Sequence, residues 1–301
     1  MGTEKIDLSI IIVNYNVKDL VIKNISSIFL YTKNINYKIY LVDNGSNDNS
    51  CIEIKEKFKN EIENNLLVLY DTKTNNGFSK GNNIPFNDIN SRYILYMNPD
   101  MEIKENSLYK MVEFMDKNES ADISSCMLKY PDDEIQHNIK NLPTFSVNLL
   151  MLLKLHNFFP NINTFKNYFL QDFDYTKEYK VNQIMGAFTL IRYDVMKKIG
   201  GWDEKYFLWW EDVDLYKKAN DLGLNIIYTP ITYVTHYEGK SFFQLNTIER
   251  QKRFNKGMLI YSRKYFPYYQ YLILKVISYL SLLLAYITQL LKVAPRGQGR
   301  I

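Results

Sequence analysis

The 301-residue chain reads as an α/β protein: a mixed, mainly parallel sheet flanked by helices in a Rossmann-like, doubly wound plan. Three observations predict this. Short β-branched apolar runs alternate with segments of helical period. Polar clusters rich in Asn, Asp and Gly fall just after the strands, where such sheets bind ligands. A composition of 46% hydrophobic and 23% charged residues supplies an ordinary globular core.

Ser9-Ile10-Ile11-Ile12-Val13 is a β-branched run of the kind buried on both faces of a parallel sheet. Asn14-Tyr15-Asn16 ends it, and Leu20, Ile25, Ile28 and Phe29 space a helix over Lys18 to Leu30. A second strand over Tyr37 to Val42 stops at the turn-forming Asp43-Asn44-Gly45-Ser46, and a helix follows over Asn47 to Phe58. Leu66 to Tyr70 makes a third strand, leading into Asn75-Asn76-Gly77-Phe78 and a short helix near Lys80 to Ile84. The fourth, Tyr93 to Met97, closes on Asn98-Pro99-Asp100. Residues 129–180 carry little period and read as an irregular insertion covering the site near the acceptor. Order returns with a strand over Gln183 to Ile191 and a helix over Tyr193 to Ile199, stopped by Gly200-Gly201. A helix over Glu211 to Leu222 and a strand over Ile226 to Tyr228 complete a first unit of residues 1–241.

Residues 242–301 differ in character. Six Lys/Arg and no acid lie between Arg250 and Lys264, and Tyr271 to Val293 is strongly apolar. Only 16 residues separate Lys275 from Lys292, short of the roughly 20 that span a bilayer. Lys275, Ser278, Ser281, Ala285, Thr288, Gln289 and Lys292 form one narrow polar stripe. An amphipathic helix lying in the interface of an anionic membrane is expected, peripheral or monotopic at the cytoplasmic face of the cell membrane. Packing onto the protein, or pairing in a homodimer, is the competing reading. Cys51 and Cys126 have neither zinc-site nor disulfide-framework spacing, and the N-terminal residues show no signal-peptide pattern. No recognised nucleic-acid module accompanies the basic stretch, so nucleic acid is not an expected partner.

Five clusters carry candidate chemistry, each with a bland alternative. Asp100, at a strand end, can hold Mg²⁺ or Mn²⁺, although Asn-Pro-Asp is also a good turn. Asp43 can accept from a ribose hydroxyl or a base N–H, while Ser46 or Asp48 can simply cap the next helix. Gly77 and Gly81 allow backbone to approach a ligand closely. Trp209 and Trp210 offer aromatic faces to a sugar, and the acids Glu211, Asp212 and Asp214 suit either a helix N-terminus or deprotonation of a hydroxyl. His236 follows a strand-like segment and can ligate Mn²⁺ or contact a diphosphate, whereas His137 and His156 lie in the irregular insertion.

Taken in order, these clusters resemble family 2 glycosyltransferases of GT-A fold, especially the rhamnosyltransferase-like branch. The residues that carry the resemblance are Ile11 to Asn16, Val42 to Ser46, Asn76-Gly77-Phe78 with Gly81-Asn82, and Asn98-Pro99-Asp100. Gly186-Ala187-Phe188, Gly200 to Glu204, Glu211 to Asp214, and His236 with Gly239 and Ser241 continue it. The resemblance implies a metal-dependent, inverting transfer of one sugar from a nucleotide-sugar donor. Asp212 would be the catalytic base, and Asn14, Asn16, Asp43, Asn44, Asn76, Gly77, Gly81, Asn82 and Asn98 would line the nucleotide-sugar site. Asp100, the last acid of the family's metal motif, and His236 would meet Mn²⁺ or Mg²⁺, with Asn98 replacing the motif's first acid. Trp209, Trp210 and Glu211 would face the acceptor. The implied donor is a dTDP- or UDP-sugar, dTDP-rhamnose first, and the implied acceptor a glycan or lipid-linked glycan in cell-surface polysaccharide or glycolipid assembly.

Other classes fit less well. A processive synthase should carry Gln-x-x-Arg-Trp and several spanning helices, whereas Gln251-Lys252-Arg253-Phe254 departs from that pattern. A nucleotidyltransferase should open on a Gly-rich, basic loop where Asn14-Tyr15-Asn16-Val17-Lys18 stands. A catalytically inactive sugar- or lipid-binding partner of a glycan assembly should have lost Asp100 or Asp212, and both are present.

Overall fold

The computed structural model describes residues 6–238 and 247–290; Gly239 and Ser241 fall outside them, as does the 241/242 boundary. The first half runs β1 (Ile6–Asn14), α1 (Lys18–Tyr31), β2 (Tyr37–Asp43), α2 (Ser50–Lys57), α3 (Lys59–Glu63), β3 (Leu67–Asp71), α4 (Phe78–Asn83), β4 (Ser91–Met97), β5 (Met101–Glu102), α5 (Ser107–Lys117) and β6 (Ile123–Lys129). Next come β7 (Ile135–Gln136), β8 (Ile139–Lys140), α6 (Phe145–Leu152), α7 (Asn163–Phe169), β9 (Tyr179–Lys180), β10 (Gln183–Ile184), β11 (Phe188–Arg192), α8 (Tyr193–Ile199), α9 (Glu211–Asp221) and β12 (Ile226–His236). A helical hairpin, α10 (Thr247–Tyr265) and α11 (Tyr268–Leu290), ends the described chain.

The main sheet has the order β3-β2-β1-β4-β11-β6-β12-β5. Its first four strands are mutually parallel, and β11 runs antiparallel to both β4 and β6. The sheet is therefore mixed, as expected. Its core lies on both faces: Ile10, Ile12, Leu41 and Leu95 point to one, and Ile11, Tyr40, Ile94 and Tyr96 to the other. That alternation explains why the strands read as unbroken apolar runs.

Several elements differ from the sequence expectation. The strand expected over Gln183 to Ile191 is broken at Met185–Ala187 into β10, which leaves the main sheet to pair with β8, and β11. The irregular insertion contains two-residue strands and the helices α6 and α7. The strand starting at Ile226 continues to His236 through an irregularity between Thr229 and Tyr233.

The largest correction concerns α11, which starts at Tyr268 rather than Tyr271. Over Tyr268–Ile287 its mean hydropathy is 1.6, so by length and composition it could cross a membrane. It packs on α10 and α6, and the small residues in the middle of the expected polar stripe face the protein, while Lys275 and Gln289 of that stripe are exposed. Ser278, Ser281 and Ala285 are buried, and Asn255 Nδ2 donates to the Ser278 carbonyl at 3.0 Å. Small residues let the helices approach closely, which is the physical reason for this orientation. The outer face is apolar, with Val276, Tyr279 and Leu283 exposed by 67%, 65% and 53%.

Candidate active site

The polar clusters meet along the carboxyl ends of β1, β2 and β4 and the end of β12. Asn14 Nδ2, at the end of β1, donates to Asp43 Oδ2 at 2.8 Å, and Asp43 Oδ1 accepts from the Ser46 N–H at 2.9 Å. Asn44 ties two loops together. Its Nδ2 donates to the Gly77 carbonyl at 3.0 Å and its Oδ1 accepts from the Asn76 N–H at 2.9 Å. Asn16 Oδ1 accepts from the Asn47 N–H at 2.8 Å. Gly77 has φ +85°, and a Cβ there would lie 2.7 Å from the Phe207 carbonyl oxygen, which already accepts from the Phe78 N–H. Only glycine satisfies both the left-handed backbone and that approach.

The expected nucleotide-site residues are therefore close together, but Asn44 and Asn82 are largely committed to structure. Asn82 is buried and its Nδ2 donates to Phe78 O at 3.0 Å within α4. Gly81 packs on Val13, where a Cβ would sit 2.9 Å from Cγ1. Asn98 supplies backbone: its N–H reaches Ala187 O at 2.9 Å and its carbonyl accepts from Asn24 Nδ2 at 2.8 Å.

Asp100 and His236 are brought together by strand pairing. β5 and β12 run antiparallel with His236 opposite Met101, and the Tyr237 N–H donates to Asp100 O at 2.8 Å. His236 Nε2 then lies 3.3 Å from Asp100 Oδ1, with both side chains buried. Nδ1 is held 2.8 Å from Gln136 Oε1, which leaves Nε2 aimed at the carboxylate. Burial alone would lower the imidazole pKa, but the Asp100 charge and hydrogen bond, with Glu238, outweigh it and raise it. Two ligands at adjacent corners of an octahedron of radius about 2.1 Å stand about 3 Å apart, so this oxygen–nitrogen pair fits a small divalent cation.

Among the described residues a second group, Asp43, Cys51 and Asp71, has ligand atoms within 4.8 Å of one another. It fits such an ion poorly. Burial, then the charges of Asp43 and Asp71, push the Cys51 thiol up to about 12, so it stays protonated. Asp71 pairs with Lys73.

Asp212 sits in the first turn of α9. Its Oδ2 accepts from the Gly186 N–H at 3.1 Å and Oδ1 from the Val213 N–H at 2.8 Å. Burial raises its pKa, opposed by those two hydrogen bonds and by the Lys140 charge. Glu211 is buried and raised well above a normal glutamate by burial and then by Asp212. Two consecutive left-handed residues, Trp209 (φ 66°) and Trp210 (φ 73°), lead into the helix. Such conformations cost roughly 1–3 kcal/mol each in non-glycine residues and persist only where packing enforces them.

That packing corrects one expectation. Trp210 is buried against Phe254 and Tyr261 of α10, with ring centroids 5.5 and 5.4 Å away. Trp209 packs on the same cluster. Trp210 thus anchors the hairpin to α9 and has no free face for a sugar, while buried Glu211 lies beside Asp212 rather than in solvent. Asp214 belongs to this anchor too. Its Oδ1 accepts from Lys264 Nζ at 2.7 Å and Tyr265 OH at 2.8 Å.

Lys140, Gln136 and Gly186 had no assigned site role in the sequence reading. Lys140 lies on β8, its ammonium 5.4 Å from the Phe169 ring, and burial lowers its pKa against the opposing charges of Asp212 and Glu238. Two-residue strands inside an irregular stretch give no periodic signal that could have placed Lys140 or Gln136.

The model of glycosyl transferase family 2 matches residues 9–200, well over half of the chain. The chain belongs to this family. It is similar to the rhamnosyltransferase WbbL of Escherichia coli (strain K12), 26% identical over 185 residues, 56% of this chain and 64% of that protein. It is also similar to the N-acetylglucosaminyl-diphospho-decaprenol L-rhamnosyltransferase of Mycobacterium tuberculosis, 22% identical over 214 residues and 67% of each. The chain thus spans about two thirds of the length of these curated relatives. In fold it is similar to GalNAc-T7 with UDP, GalNAc and Mn²⁺, at TM-score 0.58 and 14% identity over 78% of this chain and 44% of that one. The mannosyltransferase PcManGT from Pyrobaculum calidifontis, in complex with GDP-Man and Mn²⁺, gives 0.57 and 13% over 98% and 77%. The architecture is that of a GT-A glycosyltransferase with added C-terminal helices.

Proposed function

We propose that this glycosyltransferase transfers one sugar, with inversion, from a nucleotide-sugar donor to a hydroxyl of a lipid-linked glycan at the cytoplasmic face of a membrane, in cell-surface polysaccharide assembly. The observation that carries the reading is that these groups share one edge of the sheet: Asp43 at the end of β2, the Asp100–His236 pair where β5 meets the end of β12, and Asp212 held by Gly186 just before β11. The rhamnosyltransferases among the relatives support dTDP-rhamnose as donor, with UDP-hexoses next.

In this reading Asp43, fixed by Asn14 and Ser46, receives a ribose hydroxyl or base N–H beside the Gly77 loop, which Asn44 ties to it. Asp100 and His236 would hold Mn²⁺ or Mg²⁺, which when bound neutralises charge growing on the departing diphosphate. Asp212 takes the proton of the acceptor hydroxyl as that oxygen attacks C1 from the face opposite the leaving group. The Gly186 and Val213 N–H groups hold Asp212 in place, and its raised pKa strengthens it as a base. A single displacement inverts the anomeric centre.

The apolar outer face of α11, beside the basic α10, supports attachment to an anionic membrane; homodimer pairing through the same face is the other reading. The test is the anomeric configuration of the product by NMR after incubation with dTDP-rhamnose or UDP-hexoses and a lipid-linked acceptor. Inversion of one donor's C1 with one sugar added per acceptor supports the reading; retention, chain extension or no transfer from any donor defeats it.

A further inference from the structure

Beyond the cleft, a groove of about 280 Å³ lies between residues 205–208 and α10. Lys205, Lys252, Arg253 and Lys256 line it, and Glu249 is the acid among its walls. That glutamate is committed to Arg253, whose Nε lies 3.2 Å from Oε1, while the Arg253 guanidinium covers the Phe207 ring at 4.9 Å. The ammonium groups of Lys205, Lys252 and Lys256 have no carboxylate partner among the described residues. Four cations facing one carboxylate form a concave, uncompensated positive surface, which suits a multiply charged anion.

Its place in the fold says which anion. Phe207 forms one wall, and its carbonyl accepts from the Phe78 N–H at 2.7 Å, so the groove backs onto the loop of Gly77. The same segment runs on through Trp209 and Trp210 to Asp212, five residues from Phe207, at most about 17 Å of extended chain. On the other side α11 packs along α10, with Arg263 over the Tyr268 and Tyr271 rings, and turns its apolar face outward. A ligand with a diphosphate, an apolar chain on one end and a sugar on the other matches all three features.

We infer that this groove binds the diphosphate of the lipid-linked acceptor, with the lipid along the outer face of α11 and the acceptor sugar directed at Asp212. This deepens the transferase reading and rests on it. Lys252 and Lys256, one helical turn apart and exposed, make the main charge contacts, and Arg253 offers its remaining N–H donors to phosphate oxygen.

The experiment uses the full chain, with the donor site saturated by nucleoside diphosphate and Mn²⁺, and titrates farnesyl diphosphate, farnesol and inorganic diphosphate. Farnesyl diphosphate is expected to bind at least tenfold tighter than either fragment, and more weakly as salt rises. The Lys252→Ala/Lys256→Ala variant, with an unchanged melting curve, is expected to lose that binding tenfold or more. It should also raise the KM of a lipid-diphosphate acceptor without changing that of the donor. Equal binding of inorganic diphosphate would make this a site for free phosphate and overturn the inference. So would a variant that loses only adhesion to phosphatidylglycerol vesicles while farnesyl diphosphate still binds, because the groove would then read headgroups. If nucleotide sugars bind and turn over but farnesyl diphosphate does not bind, this inference alone falls; if no nucleotide sugar binds, the transferase reading falls with it.

Discussion

Replacing Gly186 with alanine adds one methyl group in the space beside the proposed base. The new Cβ would lie 2.9 Å from Asp212 Cβ and 3.5 Å from Oδ2. Ordinary carbon–carbon contact begins near 3.5 Å, so Asp212 has to retreat by about half an ångström or more. The backbone at Gly186 is not left-handed, so the methyl group acts through this contact rather than through φ strain. The retreat stretches the 3.1 Å hydrogen bond from Gly186 N–H and pushes χ1 off its rotamer, together about 1–2 kcal/mol. A misplacement approaching 1 Å at a reacting group costs up to about 100-fold in rate. The expected result is kcat reduced about 10- to 100-fold, donor KM within about twofold of wild type, and a melting temperature lower by only a few degrees. Steady-state kinetics with calorimetry checks all three. Full kcat in a folded Gly186→Ala protein would refute the assignment of Asp212 as base.

Asp212→Asn should bind donor normally and lose about 10²- to 10⁴-fold in turnover, read by calorimetry beside a transfer assay. Glu211→Gln tests the sign of a buried acid. A carboxyl whose folded pKa is raised is fully tolerated below its unfolded value, and its stability contribution is lost as pH rises toward the folded pKa. The variant should therefore melt higher than wild type by a margin that grows from pH 5 to pH 8; a constant or shrinking margin contradicts the shift. Asp214→Asn removes the counter-charge of Lys218 and one of the two carboxylates that meet Lys264, which keeps Asp203. We expect a loss of about 2 kcal/mol in urea unfolding, below the value for a fully buried pair because those lysines are partly exposed. On α11, Val276→Asp with Leu283→Asp should cut binding to anionic vesicles tenfold or more in flotation assays while donor turnover in detergent is retained; unchanged flotation would point to a protein partner instead.

The first, parallel half of the fold was readable because each strand is buried on two faces, so Ile10 to Val13 and Tyr93 to Met97 announce themselves as apolar runs. The pairing of Asp100 with His236 was not. They are joined by a two-residue strand against the end of β12, and neither carries a pattern that predicts the register. Residues 101–128 went unread although α5 is amphipathic, with Leu108, Met111, Val112 and Met115 on its buried side. For α11 the helical period was visible, but period cannot say whether a stripe of small residues faces water or a neighbouring helix. Trp210 shows the same limit: an aromatic before a helix looks alike whether it waits for a sugar or, as here, clamps α10.

The most direct test of the central claim is binding and hydrolysis across a panel of nucleotide sugars, with and without Mn²⁺ or Mg²⁺. Wild type, Asp100→Ala and Asp212→Asn would be compared. One preferred donor should bind in a metal-dependent way, Asp100→Ala should lose that dependence, and Asp212→Asn should keep binding without turnover. Binding of no nucleotide sugar under any condition, or full metal-dependent turnover in both variants, would contradict that claim.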